Sequence, residues 1–239
     1  MNIAILGYGR MGKEIEKIAR QRNHNISLII DINNQKDLTV ENLNKCDVAI
    51  DFSIPATAYE NITRCFEASV PIVSGTTGWL EKYDEVISLC KQKNGTFFYA
   101  SNYSLGVNIF FNVNKKLAAI MNKFEEYDVT LDETHHTQKL DAPSGTAITL
   151  ANDIIDELER KSKWELEEKD QKSSILKVRA HRIENVPGIH QVTYDSDVDL
   201  IEIKHSAKSR QGFAFGAVLA AEFVHLKKGI YGMKDMLGF

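Results

Sequence analysis

"NIAILGYGRMGKEIEKIARQ", residues 2–21, decides the fold. A short apolar run (2–6) leads into three glycines, and then Met11, Ile15, Ile18 and Ala19 recur at helical spacing. A strand apolar on both faces that feeds a helix through a glycine turn is the opening unit of a parallel sheet covered on both sides. Gly7, Gly9 and Gly12 stand in G-x-G-x-x-G order. The first glycine allows the tight turn, the second lets backbone approach a pyrophosphate, and the third lets helix pack on strand. The helix N-terminus behind them offers free N–H groups and a positive dipole end to phosphates.

The rhythm continues outward from that unit. "ISLIID" (26–31), "DVAIDFS" (47–53), "PIVSGTTG" (71–78) and "TFFYASN" (96–102) read as buried strands, with helix-like segments at 56–67 and in "EKYDEVISLCKQK". The first 104 residues therefore predict a Rossmann-like, doubly wound parallel α/β sheet. Asp31 closes the second strand, 19 residues after Gly12, where an acid can hydrogen-bond an adenosine ribose. Its charge repels a 2′-phosphate, so NADH is the expected donor. Lys13 and Lys36 could reach such a phosphate, and NADPH stays open. The loops "SGTTG" (74–78) and "YASNYSLG" (99–106) follow the fourth and fifth strands, the edge where open α/β sheets bind ligands.

Past residue 104 the pattern changes. A helix is expected over 106–123, then strands with one wet face at 127–134, 175–182, 189–195 and 199–205. These describe a second, α+β domain with an open mixed sheet, over 105–212. The mixed-sign stretch 157–174 reads as a solvated helix end and loop. The apolar helix expected at 213–229 is assigned, with the remainder to 239, to the first domain.

Composition narrows the function. A net charge of −4 argues against a nucleic-acid binder, and no apolar run approaches the roughly 18 residues that span a membrane. The chain opens on a strand rather than on a secretion signal. Cys46, Cys65 and Cys90 have no C-x-x-C spacing, so neither a disulfide framework nor a zinc ribbon is expected, and a cytoplasmic setting fits.

The chemistry is concentrated in "ETHHTQKLDAPSGTA" (133–147). Neighbouring residues on a strand face opposite ways, so His135 and His136 cannot readily share an ion, and no metal is expected. General acid–base work suits an imidazole, whose pKa lies near 6.5, and Lys139 can hold an anion or deliver a proton. "DAPSGTA" is a good helix start, with proline in the first turn and Ser144, Gly145 and Thr146 offering donors to a carboxylate. The stretch thus reads as gripping a small acid and protonating it. Further on, "HSAKSRQGFAFGA" (205–217) sets Lys208 and Arg210 near the domain boundary, where Arg210 could reach cofactor or substrate.

Taken together, "GRMG", "DFS", "SGTTGW", "SNYSLGVN" and "HHTQKLDAPSGTA" resemble, in order and position, the motifs of the dihydrodipicolinate reductase family, over nearly the whole chain. That resemblance implies NAD(P)H-dependent reduction of 4-hydroxy-tetrahydrodipicolinate in diaminopimelate and lysine biosynthesis. It implies His135 as acid/base, Lys139 as a second proton donor, His136 as a substrate contact and Gly145 with Thr146 as carboxylate ligands. Lining the cofactor would be Gly7, Tyr8, Gly9, Arg10, Met11, Gly12, Asp31, Phe52, Ser53, Gly75, Thr76, Thr77, Ala100, Ser101, Asn102, Tyr103, Arg210 and Phe213. A dicarboxylate substrate and a homotetramer built by the second domain are implied too. Two features depart from many relatives: the glycine loop is one residue shorter, and no basic residue follows Asp31. Both bear on the choice of cofactor. Another two-domain nicotinamide oxidoreductase would share the first domain, and a nucleotide-sensing protein the fold; only the His-His-Lys and Ser-Gly-Thr stretch separates them from this reading.

Overall fold

The computed structural model describes residues 1–166, 173–209 and 211–239. In chain order the elements are β1 (Asn2–Leu6), α1 (Arg10–Gln21), β2 (Asn25–Ile30), α2 (Val40–Leu43), β3 (Val48–Asp51), α3 (Pro55–Glu67), β4 (Ile72–Ser74), α4 (Tyr83–Gln92) and β5 (Thr96–Tyr99). There follow α5 (Leu105–Met121), β6 (Asp128–His135), α6 (Gly145–Glu157), β7 (Lys163–Leu166), β8 (Ile175–Arg182), β9 (Ile189–Asp195) and β10 (Leu200–Ser206). The chain ends with α7 (Gln211–Val224), β11 (Gly229–Tyr231) and α8 (Met233–Leu237). It divides into two compact units, residues 1–105 with 211–239, and residues 106–210.

The first unit holds a six-stranded parallel sheet in the order β11-β5-β4-β3-β1-β2. Alternation along the strands supplies both faces. Ile3 and Ile5 join Ile50, Val73 and Phe98 in the core that contains α1 and α7. Ala4 and Leu6 join Ala49, Ile72 and Phe97 in the core under α3 and α4. This two-sided burial is why the strands read as unbroken apolar runs. Small residues of α7 (Ala214, Ala217, Ala221) lie in the first of these cores. A Cβ on Gly216 would run into the Tyr103 carbonyl, so only glycine lets α7 approach there. The helix expected at 213–229 is α7, which starts two residues earlier and stops at Val224. The chain then adds the edge strand β11 beside β5, an element of three residues that is too short to show periodicity.

The second unit is a five-stranded mixed sheet in the order β10-β9-β6-β8-β7. Central β6 runs parallel to β8 and antiparallel to β9. Val129, Leu131, Val178, Val192 and Tyr194 join Phe110, Met121, Leu150 and Ile154 of α5 and α6 in one core. The stretch 157–174 is not all helix end and loop. Its Lys163–Leu166 segment forms β7 beside β8, because Trp164 packs on that core. The buried Lys161 ammonium, held by Asp128 at 2.6 Å, anchors the turn before it. Residues 167–172 lie outside the described part. Among the described residues no helix is long and apolar enough to cross a membrane.

Candidate active site

In the first unit the expected cofactor residues follow the carboxyl ends of β1, β2, β3, β4 and β5, except Phe213, which stands in α7. Gly7 has φ of +91°, and a Cβ there would run into Phe52 backbone; a Cβ on Gly12 would meet the Gly7 carbonyl. Those two glycines close the turn. Gly9 differs, since a Cβ there meets nothing within 4 Å. It is also the N-cap of α1 and gives the helix no side-chain cap, so the first-turn N–H groups of Arg10, Met11 and Gly12 lack a capping partner. An open cradle before an uncapped helix start fits a pyrophosphate. Tyr8 turns along α1, with its hydroxyl on Glu16.

Asp31 follows β2 directly, in a loop tied by Asn34: the Asp31 N–H donates to Asn34 Oδ1 (2.7 Å), and Asn34 Nδ2 to the Ile29 carbonyl (2.8 Å). These bonds engage the backbone of the Asp31 loop and not the Asp31 carboxylate. The loops after β3 and β4 are joined by Asp51, a residue absent from the expected set. Its buried carboxylate accepts from Ser53 (2.6 Å), Thr76 (2.7 Å), Asn61 (2.8 Å) and Ser74 (3.0 Å). Burial raises its pKa, against the pull of those four donors. Ser53 N–H also donates to Thr76 Oγ1 at 2.9 Å, so the hydroxyls of Ser53 and Thr76 are committed inward. A Cβ on Gly75 would strike the Phe52 ring, which stands 5.5 Å from the Tyr103 ring. Tyr103 is itself core, with its hydroxyl on the Ser74 carbonyl (2.7 Å), so its side chain is structural. Thr77 and Ser101 are exposed, Asn102 and Phe213 half-buried, and Ala100 buried. Arg210 lies outside the described residues.

In the second unit, the core face of the sheet turns polar at one end. Past Leu131 the same face of β6 carries Glu133 and His135. Register then brings His190 of β9 opposite Glu133, and Arg182 of β8 opposite His135. All but Arg182 are buried. Glu133 Oε2 accepts from the Ser144 N–H (3.0 Å) and lies 3.5 Å from His135 Nδ1 and 3.7 Å from His190 Nε2. Arg182 donates to Glu133 Oε1 (3.2 Å) and to the carbonyls of Asp141 (2.6 Å) and Lys139 (3.3 Å), stapling the Lys139 loop to the sheet. Lys139 is held by Asp141 at 2.7 Å.

The electrostatics follow from this packing. Burial works against ionisation of Glu133, but His190, the Ser144 donors and the charge of His135 outweigh it and hold its pKa down to about 2. Burial lowers His135 to about 4; Glu133 resists, while His190, Lys139 and Arg182 add to the lowering. His135 therefore rests neutral at physiological pH, and an approaching anion would raise its proton affinity. Lys139 draws the Asp141 carboxyl below its usual range.

Ser144 differs from expectation. Its hydroxyl accepts from the Ala147 N–H (3.2 Å) as the N-cap of α6 and contacts His190 Nε2 (3.1 Å), while its own N–H serves Glu133. These contacts tie the start of α6 to Glu133 and His190. Pro143 accordingly precedes the cap instead of sitting in the first turn. Gly145 is exposed, and a Cβ there meets nothing within 4 Å, so the first-turn amides of Gly145 and Thr146 suit an anion. His136 lines a cavity of about 510 Å³ with Thr137, Gln138, Glu184, Asn185, Val186, Pro187 and Ser209. The sequence reading missed Asp51, Asp141, Arg182, His190 and the Glu184–Pro187 loop. "DFS" marked the place of Asp51, but no local signal marked His190, whose role depends on strand register.

Glu133, His135 and His190 also offer three ligand atoms within 4.8 Å of one another. Both Glu133 oxygens are already engaged, and the Arg182 guanidinium opposes a dication there.

Residues 1–103 match the family described as dihydrodipicolinate reductase, N-terminus, and residues 106–237 the one described as dihydrodipicolinate reductase, C-terminus. The chain belongs to the dihydrodipicolinate reductase family. It is 53% identical to a 4-hydroxy-tetrahydrodipicolinate reductase of Christiangramia forsetii, over 99% of this chain and 98% of that one. A 4-hydroxy-tetrahydrodipicolinate reductase of Neisseria meningitidis is 36% identical, over 82% of this chain and 74% of its own. In fold the chain is similar to the dipicolinate-bound dihydrodipicolinate reductase of Paenisporosarcina sp. TG-14, with a TM-score of 0.78 at 24% identity and 98% of each chain covered. Members of the family are pyridine-nucleotide-dependent oxidoreductases, which suits the open glycine cradle of the first unit.

Proposed function

We propose that this chain reduces 4-hydroxy-tetrahydrodipicolinate to tetrahydrodipicolinate in diaminopimelate and lysine biosynthesis, in the cytoplasm. The observation that carries this reading is the His135–Lys139–Gly145 constellation, in a chain 53% identical to a reductase of that name. The first unit holds the nucleotide: the amides after Gly9 take the pyrophosphate, Asp31 the ribose, and the loops at Gly75–Thr77 and Ala100–Asn102 flank the nicotinamide end. A bound reduced nicotinamide supplies the hydride. The second unit holds the dicarboxylate, with the amides of Gly145 and Thr146 on one carboxylate and His136 beside it.

Loss of water from the 4-hydroxy compound gives a conjugated imine, and hydride addition to that imine leaves an enamine-like anion, which must be protonated. Lys139 is cationic and poised by Asp141, and His135 becomes a donor once a dianion raises its proton affinity. The arrangement uses proton donors and assigns no metal. Asp31 favours NADH over NADPH, because its charge repels a 2′-phosphate and no arginine follows it. A homotetramer built by the second unit completes the reading.

The test is a coupled assay. The condensation product of pyruvate and aspartate semialdehyde is supplied with NADH or NADPH, and loss of nicotinamide absorbance is followed. Substrate-dependent oxidation, faster with NADH, is expected. Silence with both nucleotides from protein that binds NADH would overturn the substrate assignment.

A further inference from the structure

Glu133 is buried, ionisable and unassigned by the chemistry above. It shares the core face of β6 with His135, two residues on, and its Oε2 lies 3.5 Å from His135 Nδ1. That nitrogen has no hydrogen-bond partner of standard geometry and no exposed surface. We propose that Glu133 is a positioning residue, which keeps the proton of neutral His135 on Nδ1 and stabilises the imidazolium while Nε2 exchanges a proton with the substrate. The proposal rests on the reading of His135 as a proton donor.

Three observations support it. First, the carboxylate is kept ionised by His190 and the Ser144 donors, and the Arg182 guanidinium bonds its other oxygen, so His135 faces a standing negative charge. Second, the other charged or titratable groups that act on His135 (His190 on β9, Arg182 on β8 and Lys139 in the following loop) all oppose its protonation, and Glu133 alone favours it. Without Glu133, a buried imidazolium would have no compensating charge among the described residues. Third, the ring's far edge is open. A Cβ on Gly188 would come 3.1 Å from His135 Nε2, and the absence of a side chain there clears that nitrogen beside Pro187 of the cavity wall. When Nε2 gives up its proton, the N–H bond breaks, a bond to the substrate forms, and the ring returns to the neutral Nδ1–H form until solvent reprotonates Nε2.

Glu133→Gln tests this, because it keeps the size and one oxygen for Ser144 while removing the charge. Nitrogen NMR on histidine-labelled protein should place the His135 proton on Nδ1 in the wild type and shift it towards Nε2 in the variant. Turnover should fall about 10²-fold, with substrate KM and NADH affinity within about threefold. The loss of kcat/KM as pH rises through the His135 step should move to lower pH, and Glu133→Asp should restore part of both effects. A variant that merely lost stability, with the tautomer and the pH profile unmoved, would overturn the proposal. Should Glu133→Gln fail to fold, the wild type decides alone: a proton on Nδ1 supports the proposal, one on Nε2 overturns it. A wild type that does not turn over this substrate refutes the functional reading, while the tautomer still tests Glu133.

Discussion

Each unit contains a fully buried carboxylate near the carboxyl end of a central strand, and the two behave oppositely. Asp51 on β3 is surrounded by hydroxyls and an amide, and burial raises its pKa. Glu133 on β6 meets a guanidinium, two imidazoles and a helix-capping amide, and its pKa falls to about 2. The same burial thus ends in opposite shifts, because the hydrogen bonds from His190 and Ser144 outweigh it at Glu133 while the four donors at Asp51 do not. Asp51 ties two loops together. Glu133 faces a proton-handling ring.

The largest effect expected on the charged side is Lys139→Ala, which should lower kcat by ~10²–10⁴ while leaving NADH affinity nearly intact. Stopped-flow turnover and nucleotide fluorescence measure the two, and lost NADH binding would move Lys139 to the nucleotide side. On the scaffold side, Gly9→Ala should raise the NADH Kd by about tenfold with little change in Tm, since the added Cβ enters open space where a pyrophosphate would lie. Gly12→Ala should instead destabilise the fold, because its Cβ runs into the Gly7 carbonyl. If both merely lower the Tm, the cradle is only a turn.

Asp51→Asn should cost about 1–3 kcal/mol in denaturant melts and weaken NADH a few fold, while leaving the pH profile of turnover alone. A shifted profile would erase the contrast with Glu133. Stability against pH sharpens it further. Glu133, held at about 2 against an ordinary 4.5, contributes stability that is complete above about 4.5 and lost as pH falls towards 2. His135, at about 4 against 6.5, adds a contribution that is complete above about 6.5 and lost as pH falls to about 4. Asp51, with its pKa raised, runs the other way and disfavours the fold as pH rises through its titration. Thermal melts from pH 7 to 4 should therefore show a falling Tm, and His135→Asn should flatten that fall. The smallest effect is Asp31→Ala, which should weaken NADH more than NADPH; an equal loss would remove the specificity argument.

Much of this was legible beforehand because it is local. β8 and β9 fall on the expected residues, and α1, α3 and β6 within a residue or two, since alternation and helical spacing report which faces are buried. The tight turn at Gly7 and Gly12 follows from their spacing, and one contiguous stretch singles out His135, Lys139 and Gly145 as candidates. Trp164 was hidden in a charged run whose composition outweighed a four-residue alternation. The sequence places Ser144 at a helix start, but only the fold shows that its hydroxyl goes to the cap and to His190.

Sequence by itself determined the two architectures, the glycine cradle and the family, because each depends on residues close together in the chain or on motifs read in order. Only the tertiary structure decided the partners of the two buried acids. Ser74 and Thr76 reach Asp51 through strand order and Asn61 from α3, while Arg182 and His190 reach Glu133 through the register of β8 and β9 on β6. A one-residue slip in either pairing would turn those side chains to the opposite face. The carboxylate that His135 faces belongs to its own motif, but Arg182 and His190, which surround that carboxylate, are brought there by the sheet.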